Sequence, residues 1–253
     1  MSSRLFFALA FAITWTVQLP AVLAALGLLS GPPAQYMPLA GLGAFGPLIA
    51  AVIVARRSPG GAKGLFARLR IRGFGPMWYV VALVLPAALL AAGMAVYSLG
   101  GGSGPWVWPP GDGERIAAMI VFPLGEEFGW RGLALPRLQG RYGPIAASGI
   151  LGALWGLWHV PMFVLAGVSA VPFAFGMASV IAGSFMFTWL FNHTRGSLLL
   201  AILLHVGVHL SNPNQALPGD VMPLVVYTAA LAVFAILVVV LDPKAWRRDV
   251  AVS

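Results

Sequence analysis

Long apolar runs dominate this chain and restrict what it can fold into. A helix that spans a membrane needs about 20 mostly apolar residues. Eight candidate runs cover residues 5–29, 38–55, 77–99, 116–135, 144–166, 171–191, 197–211 and 221–241, of which the seventh is short. Gly- and Pro-containing turns separate them. We therefore predict an all-α, polytopic membrane protein with about eight transmembrane helices.

The composition excludes several other classes of protein. Hydrophobic residues make up 60% of the 253 residues and charged residues only 9%, whereas soluble domains are about 45–50% apolar and about 25% charged. A soluble globular enzyme, a disordered chain and a fibrous protein are therefore excluded. The chain has no Cys, which also excludes disulfides, a thiol nucleophile and thiolate metal ligands.

The basic residues lie between the apolar runs and predict the topology. The net charge is +8, but basic residues in this pattern orient a protein in the lipid bilayer, and we expect no nucleic-acid partner. If eight helices alternate in direction, all Lys and Arg residues except Arg115 and Arg131 fall on one side. The positive-inside rule then predicts a multi-pass cell-membrane protein with both termini in the cytoplasm.

Span four contains charged residues, each of which costs about 2.5–3.5 kcal/mol or more inside a membrane. Glu126 and Glu127 are the only acidic residues in any predicted span, and Arg131 follows in the same helix. Glu127 and Arg131 are four residues apart, on one helix face, and should form a pair. Glu126 is rotated by about 100° from Glu127. We expect it to be buried without that partner, which suits a general base.

Three of the four histidines also lie in predicted spans. His205 and His209 are four residues apart on span seven, and His159 precedes Pro161 on span five. Proline removes a backbone hydrogen bond, so we expect span five to kink or open near His159. A single membrane histidine usually bonds a neighbouring helix; three, with two glutamates, indicate a functional site. His193 follows span six, and we predict a solvated loop residue there.

These residues allow more than one chemistry. In a metal-free hydrolysis, Glu126 takes a proton from water, His159 orients that water, and His205 with His209 stabilises the oxyanion. In a metal-assisted hydrolysis, His and Glu side chains ligate the metal, because two His four apart on a helix is a zinc-ligand spacing. No His-Glu-x-x-His or Gly-x-Ser-x-Gly string occurs. A proton or metal transporter and a non-catalytic membrane scaffold are the alternatives outside hydrolysis.

Two further patterns concern packing and the membrane surface. Gly125 with Gly129, and Gly152 with Gly156, have the four-residue spacing that lets membrane helices approach closely. Residues 56–76 mix basic and apolar side chains. They form either an amphipathic surface element that binds anionic lipid or a solvated loop.

The polar motifs resemble those of the CPBP family, which contains type II CAAX prenyl proteases and bacteriocin-processing or Abi proteins. Glu126 to Arg131 matches its Glu-Glu-x-x-x-Arg motif. Trp155 to His159 resembles Phe-x-x-x-His with Trp for Phe. His205 to His209 resembles His-x-x-x-Asn/Asp with His in the last place. The resemblance covers about residues 116–212 of a single integral-membrane domain spanning 1–253.

The resemblance implies an eight-helix intramembrane endopeptidase with its site in a polar cavity. Its substrate would be a lipophilic or membrane-associated peptide or protein, a prenylated one included. By motif match Glu126 is the catalytic base and His159 its partner on the water. Glu127 and Arg131 hold the helix, and His205 with His209 forms the oxyanion side.

Members of this family are described both as metalloproteases and as metal-free glutamate proteases. His209 stands where the family usually has an amide or a carboxylate, and imidazole is a better metal ligand than an amide. This departure favours Zn²⁺ and puts the simple oxyanion role in doubt. In the zinc version of the site, Glu126, His159, His205 and His209 are the expected metal ligands.

Overall fold

The computed structural model describes residues 3–57, 60–104, 113–213 and 219–247, without the side chain of Arg115. Every secondary-structure element in these ranges is a helix, as predicted. In chain order the α-helices are α1 (Ser3–Ala25), α2 (Met37–Leu42), α3 (Gly46–Ala55), α4 (Gly61–Phe66), α5 (Met77–Leu99), α6 (Gly113–Gly129), α7 (Leu135–Tyr142), α8 (Pro144–Trp158), α9 (Val160–Leu165), α10 (Ala170–His193), α11 (Leu198–Leu210) and α12 (Met222–Leu241).

In the described ranges, five helices are long and apolar enough to cross a membrane. They are α1, α5, α10, α12 and the continuous helical segment Pro33–Ala55. The other three predicted spans hold the polar motifs and are shorter or interrupted. A π-helical segment, Trp130–Ala134, joins α6 to α7. Helices α8 and α11 have 15 and 13 residues. The total of eight spans therefore stays a prediction, and the all-α membrane fold is confirmed.

Contacts between loops agree with the predicted alternation of the helices. Arg70 Nη1 donates to the carbonyl of Arg195 at 3.4 Å, so the loops before α5 and after α10 lie on one side. Tyr97 donates to Asp220 at 2.6 Å, which places the end of α5 beside the start of α12 on the other side. That the basic side faces the cytoplasm remains a prediction.

His193 is not the solvated loop residue that we predicted. It is the last residue of α10, and its Nε2 lies 2.5 Å from Asp242 Oδ2. Its ring stacks on Trp78 with centroids 4.7 Å apart, and Trp189 Nε1 donates to the same Asp242 oxygen at 2.9 Å. The prediction was wrong because it considered only the local turn, whereas the partners come from α5 and from the end of α12.

Glycines let the motif-bearing helices pack closely, as their spacing predicted. A Cβ on Gly125 would lie 2.4 Å from a backbone oxygen of the segment Pro33–Ala55, and one on Gly129 would lie 2.5 Å from a proline carbon of that segment. Gly152 and Gly156 approach α10 in the same way, at 2.9 and 2.8 Å. These contacts enclose α6 and α8 between longer helices. On the other side, α11 packs against α5 and α6.

Candidate active site

A buried ion pair lies in the interior of the site. Arg131 Nη1 donates to Glu127 Oε1 at 2.8 Å, and both side chains are fully buried. The predicted pair four residues apart on one helix is therefore confirmed. Arg131 belongs to the π-helical segment Trp130–Ala134, a type of distortion that occurs frequently at functional sites.

His205 connects this ion pair to α11. Its Nδ1 lies 2.8 Å from Glu127 Oε1, the oxygen that also accepts from Arg131. Only 2% of His205 is exposed. An ionised carboxylate only accepts hydrogen bonds, so Nδ1 of His205 donates and Nε2 carries the lone pair. One carboxylate oxygen thus ties two of the three motif-bearing helices together.

Trp155 on α8 connects the third helix. Its indole Nε1 donates to Glu126 Oε2 at 2.8 Å. The Arg131 guanidinium lies 4.2 Å from the Trp155 ring centroid and 3.9 Å from that of Phe187. Among the described residues, Nε and Nη2 of Arg131 have no hydrogen-bond partner. The two aromatic faces stabilise this buried cation instead.

Trp155 and Phe187 are the site residues that the sequence did not reveal. Trp155 was identified only as a variation of a motif, and Phe187 of α10 was not identified at all. Aromatic residues are common in the apolar runs of this chain, so no pattern distinguished Phe187. Trp155 alone carried a usable signal, because its indole N–H is a donor in a position where the family usually has Phe.

His159 lies at the break in the fifth predicted span. Helix α8 ends at Trp158 and α9 begins at Val160, which confirms the break expected near Pro161. Nδ1 of His159 lies 2.8 Å from the carbonyl oxygen of Trp155. Because a carbonyl only accepts, Nδ1 must carry the proton, and in the neutral ring Nε2 carries the lone pair.

His209 has the same tautomer. Its Nδ1 lies 3.2 Å from the carbonyl oxygen of Met119, and its ring is 4.5 Å from that of His205. A neutral imidazole in this state accepts a hydrogen bond at Nε2. It can donate to an oxyanion there only when it is protonated, unlike the amide that the family motif usually has in this place.

The structure brings the six predicted site residues together. The Trp155 ring lies 5.6 Å from the His159 ring and 5.4 Å from the His205 ring, as centroid distances. Glu126, Glu127, Arg131 and His205 are buried, whereas His159 and His209 are partly exposed. The site therefore has an enclosed interior that contains the charged groups, and an accessible side that contains the imidazole rings of His159 and His209.

A zinc ion takes three or four protein ligands, so the donor groups of the site would have to converge on one point. Within the described ranges, no group of three or more His, Cys, Asp or Glu side chains is arranged to hold a metal ion. Glu126 instead accepts a hydrogen bond from Trp155, and Glu127 and His205 are hydrogen-bonded to each other. As arranged, these side chains do not form the zinc ligand set of Glu126, His159, His205 and His209. Zinc binding by these four residues stays a prediction.

Fold and site together define a polytopic membrane protein with a carboxylate–imidazole site enclosed by its helices. Residues 114–211 match the family model described as "Type II CAAX prenyl endopeptidase Rce1-like". This segment contains the three motifs that resemble the CPBP family. The match agrees with the predicted resemblance to the CPBP family, and residues 114–211 carry it.

A curated relative agrees with this family. The chain is 26% identical over 179 residues to the protein named CAAX prenyl protease 2 of Methanococcus maripaludis. The aligned region covers 65% of this chain and 65% of the relative. The chain therefore matches less than two thirds of that relative's length.

Proposed function

We propose that this protein is an intramembrane endopeptidase that hydrolyses a peptide bond in lipophilic or membrane-associated substrates. A prenylated C-terminal peptide is the first candidate, since the family description and the relative's name both specify prenyl proteolysis. One observation carries the proposal. Glu126 and His159 both bond to Trp155, through its indole N–H and its carbonyl.

In the proposed reaction Glu126 and His159 activate one water molecule. Glu126 accepts a proton from the water while the water oxygen attacks the peptide carbonyl carbon. Nε2 of His159 accepts a hydrogen bond from the other O–H of the water and orients it. The C–N bond then breaks, and Glu126 returns the proton to the leaving nitrogen. Trp155 N–H holds one oxygen of Glu126, so that the carboxylate keeps a defined orientation.

Glu127, Arg131 and His205 are proposed to position the reacting groups. They hold α6 and α11 together through the shared Glu127 Oε1 at 2.8 Å on both sides. His205 and His209 form the proposed oxyanion side. Because their Nε2 atoms carry lone pairs in the neutral form, this role requires a protonated imidazole. The alternative role of these Nε2 atoms is metal ligation, which the proposed reaction of Glu126 and His159 does not require.

Cleavage of a farnesylated peptide by the protein in lipid nanodiscs tests the proposal. Glu126→Gln and His159→Ala should each lower kcat at least about 100-fold, the lower range for a general acid–base group. Glu114→Gln is the matched control, because Glu114 is an exposed carboxylate at the start of the same helix. It should retain wild-type activity.

The outcomes separate the competing functions. Wild-type cleavage by both Glu126→Gln and His159→Ala would contradict the endopeptidase mechanism. No cleavage by the folded wild type, with an unchanged cellular phenotype of Glu126→Gln, would instead support a scaffold. Metal analysis and a chelator in the same assay distinguish the two hydrolytic mechanisms. Loss of activity on chelation, with recovery on adding Zn²⁺, would support the zinc version.

A further inference from the structure

We propose that residues 61–72, together with Arg195, bind the phosphate headgroup of an anionic phospholipid. We call these residues the basic segment. Its cationic side chains are Lys63, Arg68, Arg70, Arg72 and Arg195. No ion pair connects any of them to a carboxylate in the described part of the chain. The inference is independent of the proposed catalytic activity.

The fold brings the Arg70 guanidinium to the backbone of Arg195. Arg70 Nη1 donates to the carbonyl of Arg195 at 3.4 Å. Arg195 has a φ of 50°, a left-handed conformation that is uncommon for a residue with a side chain. Burial and the nearby Arg70 charge both lower the pKa of Arg68. Neighbouring like charges attract a shared anion, and arginine binds phosphate through strong, often bidentate hydrogen bonds.

The same segment carries apolar side chains toward the surroundings of the protein. Phe66, Leu69 and Ile71 are 45%, 39% and 68% exposed. Leu65 between them is buried. Basic and exposed apolar side chains in one short segment, directly before the membrane helix α5, are typical of an element at the lipid headgroup level. This position favours a phospholipid over a phosphate ion from solution.

The basic segment also joins the two helices that supply most of the site. The Phe66 ring packs on that of Phe128, with centroids 4.9 Å apart, next to the glutamates. The amide of Leu198 donates to the Arg68 carbonyl at 2.9 Å, and Ser197 Oγ donates to the Arg70 carbonyl at 2.8 Å. These bonds attach the segment to the start of α11. A phospholipid bound here would therefore stabilise the packing of α6 and α11.

Native mass spectrometry of the purified protein with added lipids tests this inference. The wild type should retain phosphatidylglycerol in preference to phosphatidylcholine. The double variant Arg70→Gln/Arg195→Gln should bind phosphatidylglycerol about 25-fold more weakly, at about fivefold for each charge. The control, Arg141→Gln/Lys244→Gln, removes two exposed charges from the same predicted side and should stay within about twofold of the wild type.

Thermal unfolding in the same lipids gives a second measurement. Phosphatidylglycerol should raise the Tm of the wild type and the control, but not that of the double variant. If the double variant does not fold, the exposed single change Arg72→Gln should still weaken binding about fivefold. Equal weakening in the control, or full displacement of the lipid by inorganic phosphate, would overturn the inference. Cleavage activity is not needed for either measurement.

Discussion

The five long helices and the three motif-bearing helices differ in length and in how much of their surface is exposed. The long helices have 20 to 24 residues each and are strongly apolar. Their outer side chains are strongly exposed, for example Leu99 at 89% and Leu241 at 73%. By contrast, α8 and α11 are short, and α6 passes into a π-helical segment in which every residue is buried.

This contrast shows that protein, rather than lipid, surrounds the charged groups. A charge facing hydrocarbon is costly, but Arg131 contacts a carboxylate and two aromatic faces. The longer helices supply the lipid-facing surface, so the inner helices need not be continuously apolar. Short length, helix breaks and polar residues are therefore features of one inner region. Four predictions test whether changes in this region have larger effects than changes outside it.

The largest effect should come from the buried ion pair. Arg131→Met leaves Glu127 as an uncompensated buried charge and should destabilise the fold by about 3–5 kcal/mol. Unfolding in mixed micelles measures the free energy. The double variant Glu127→Gln/Arg131→Met should lose less than the sum of the two single changes, because the pair acts as a unit. Additive losses would show that the two side chains are not coupled.

The next effect concerns the tryptophan N–H at Glu126. Trp155→Phe keeps an aromatic face for Arg131 but removes a hydrogen bond to a carboxylate, worth about 1.5–3 kcal/mol. We expect kcat to fall roughly tenfold to 100-fold with KM nearly unchanged. Trp246→Phe, which removes an indole donor to the Val238 carbonyl of the outer helix α12, is the control and should leave kcat intact. A change in KM alone would argue against a positioning role.

Close packing of the inner region should produce a smaller loss. A Cβ on Gly129 would approach Pro47 at 2.5 Å, so Gly129→Ala should destabilise the protein by about 1–3 kcal/mol. The matched control is Gly140→Ala on α7, where a Cβ has no neighbour within 4 Å. It should be neutral or stabilising by about 0.5–1 kcal/mol, since Ala favours a helix. Equal effects in the two variants would disprove the close contact.

The smallest effect is expected at the surface pair of Asp242 and His193. Burial raises the pKa of Asp242, but hydrogen bonds from Trp189 and His193 outweigh this and hold it below its usual value. A lowered carboxyl pKa contributes stability above the unfolded pKa of about 3.9, and this is lost as pH falls through the folded pKa. The Tm advantage of the wild type over Asp242→Asn should therefore be present at pH 6 and decrease as the pH falls below about 3.9. A constant difference would contradict this.

The polar motifs could be predicted because charge is rare in this sequence. With 9% charged residues, Glu126, Glu127 and Arg131 are conspicuous inside an apolar run, and helical periodicity alone predicts their pairing. Pro161 likewise indicated the helix break at His159. His193 was misjudged because local sequence does not show that Asp242, 49 residues later, is its partner.

Sequence by itself determined the membrane class, the all-α fold and the polar residues that the candidate site contains, because hydrophobic runs and intramembrane charges are local properties. Only the tertiary structure decided the imidazole tautomers, the Trp155 bond to Glu126 and the aromatic enclosure of Arg131. These depend on which groups from different helices meet. A carbonyl or a carboxylate contributed by a distant element determines which ring nitrogen carries the proton, and no spacing along the chain contains that information.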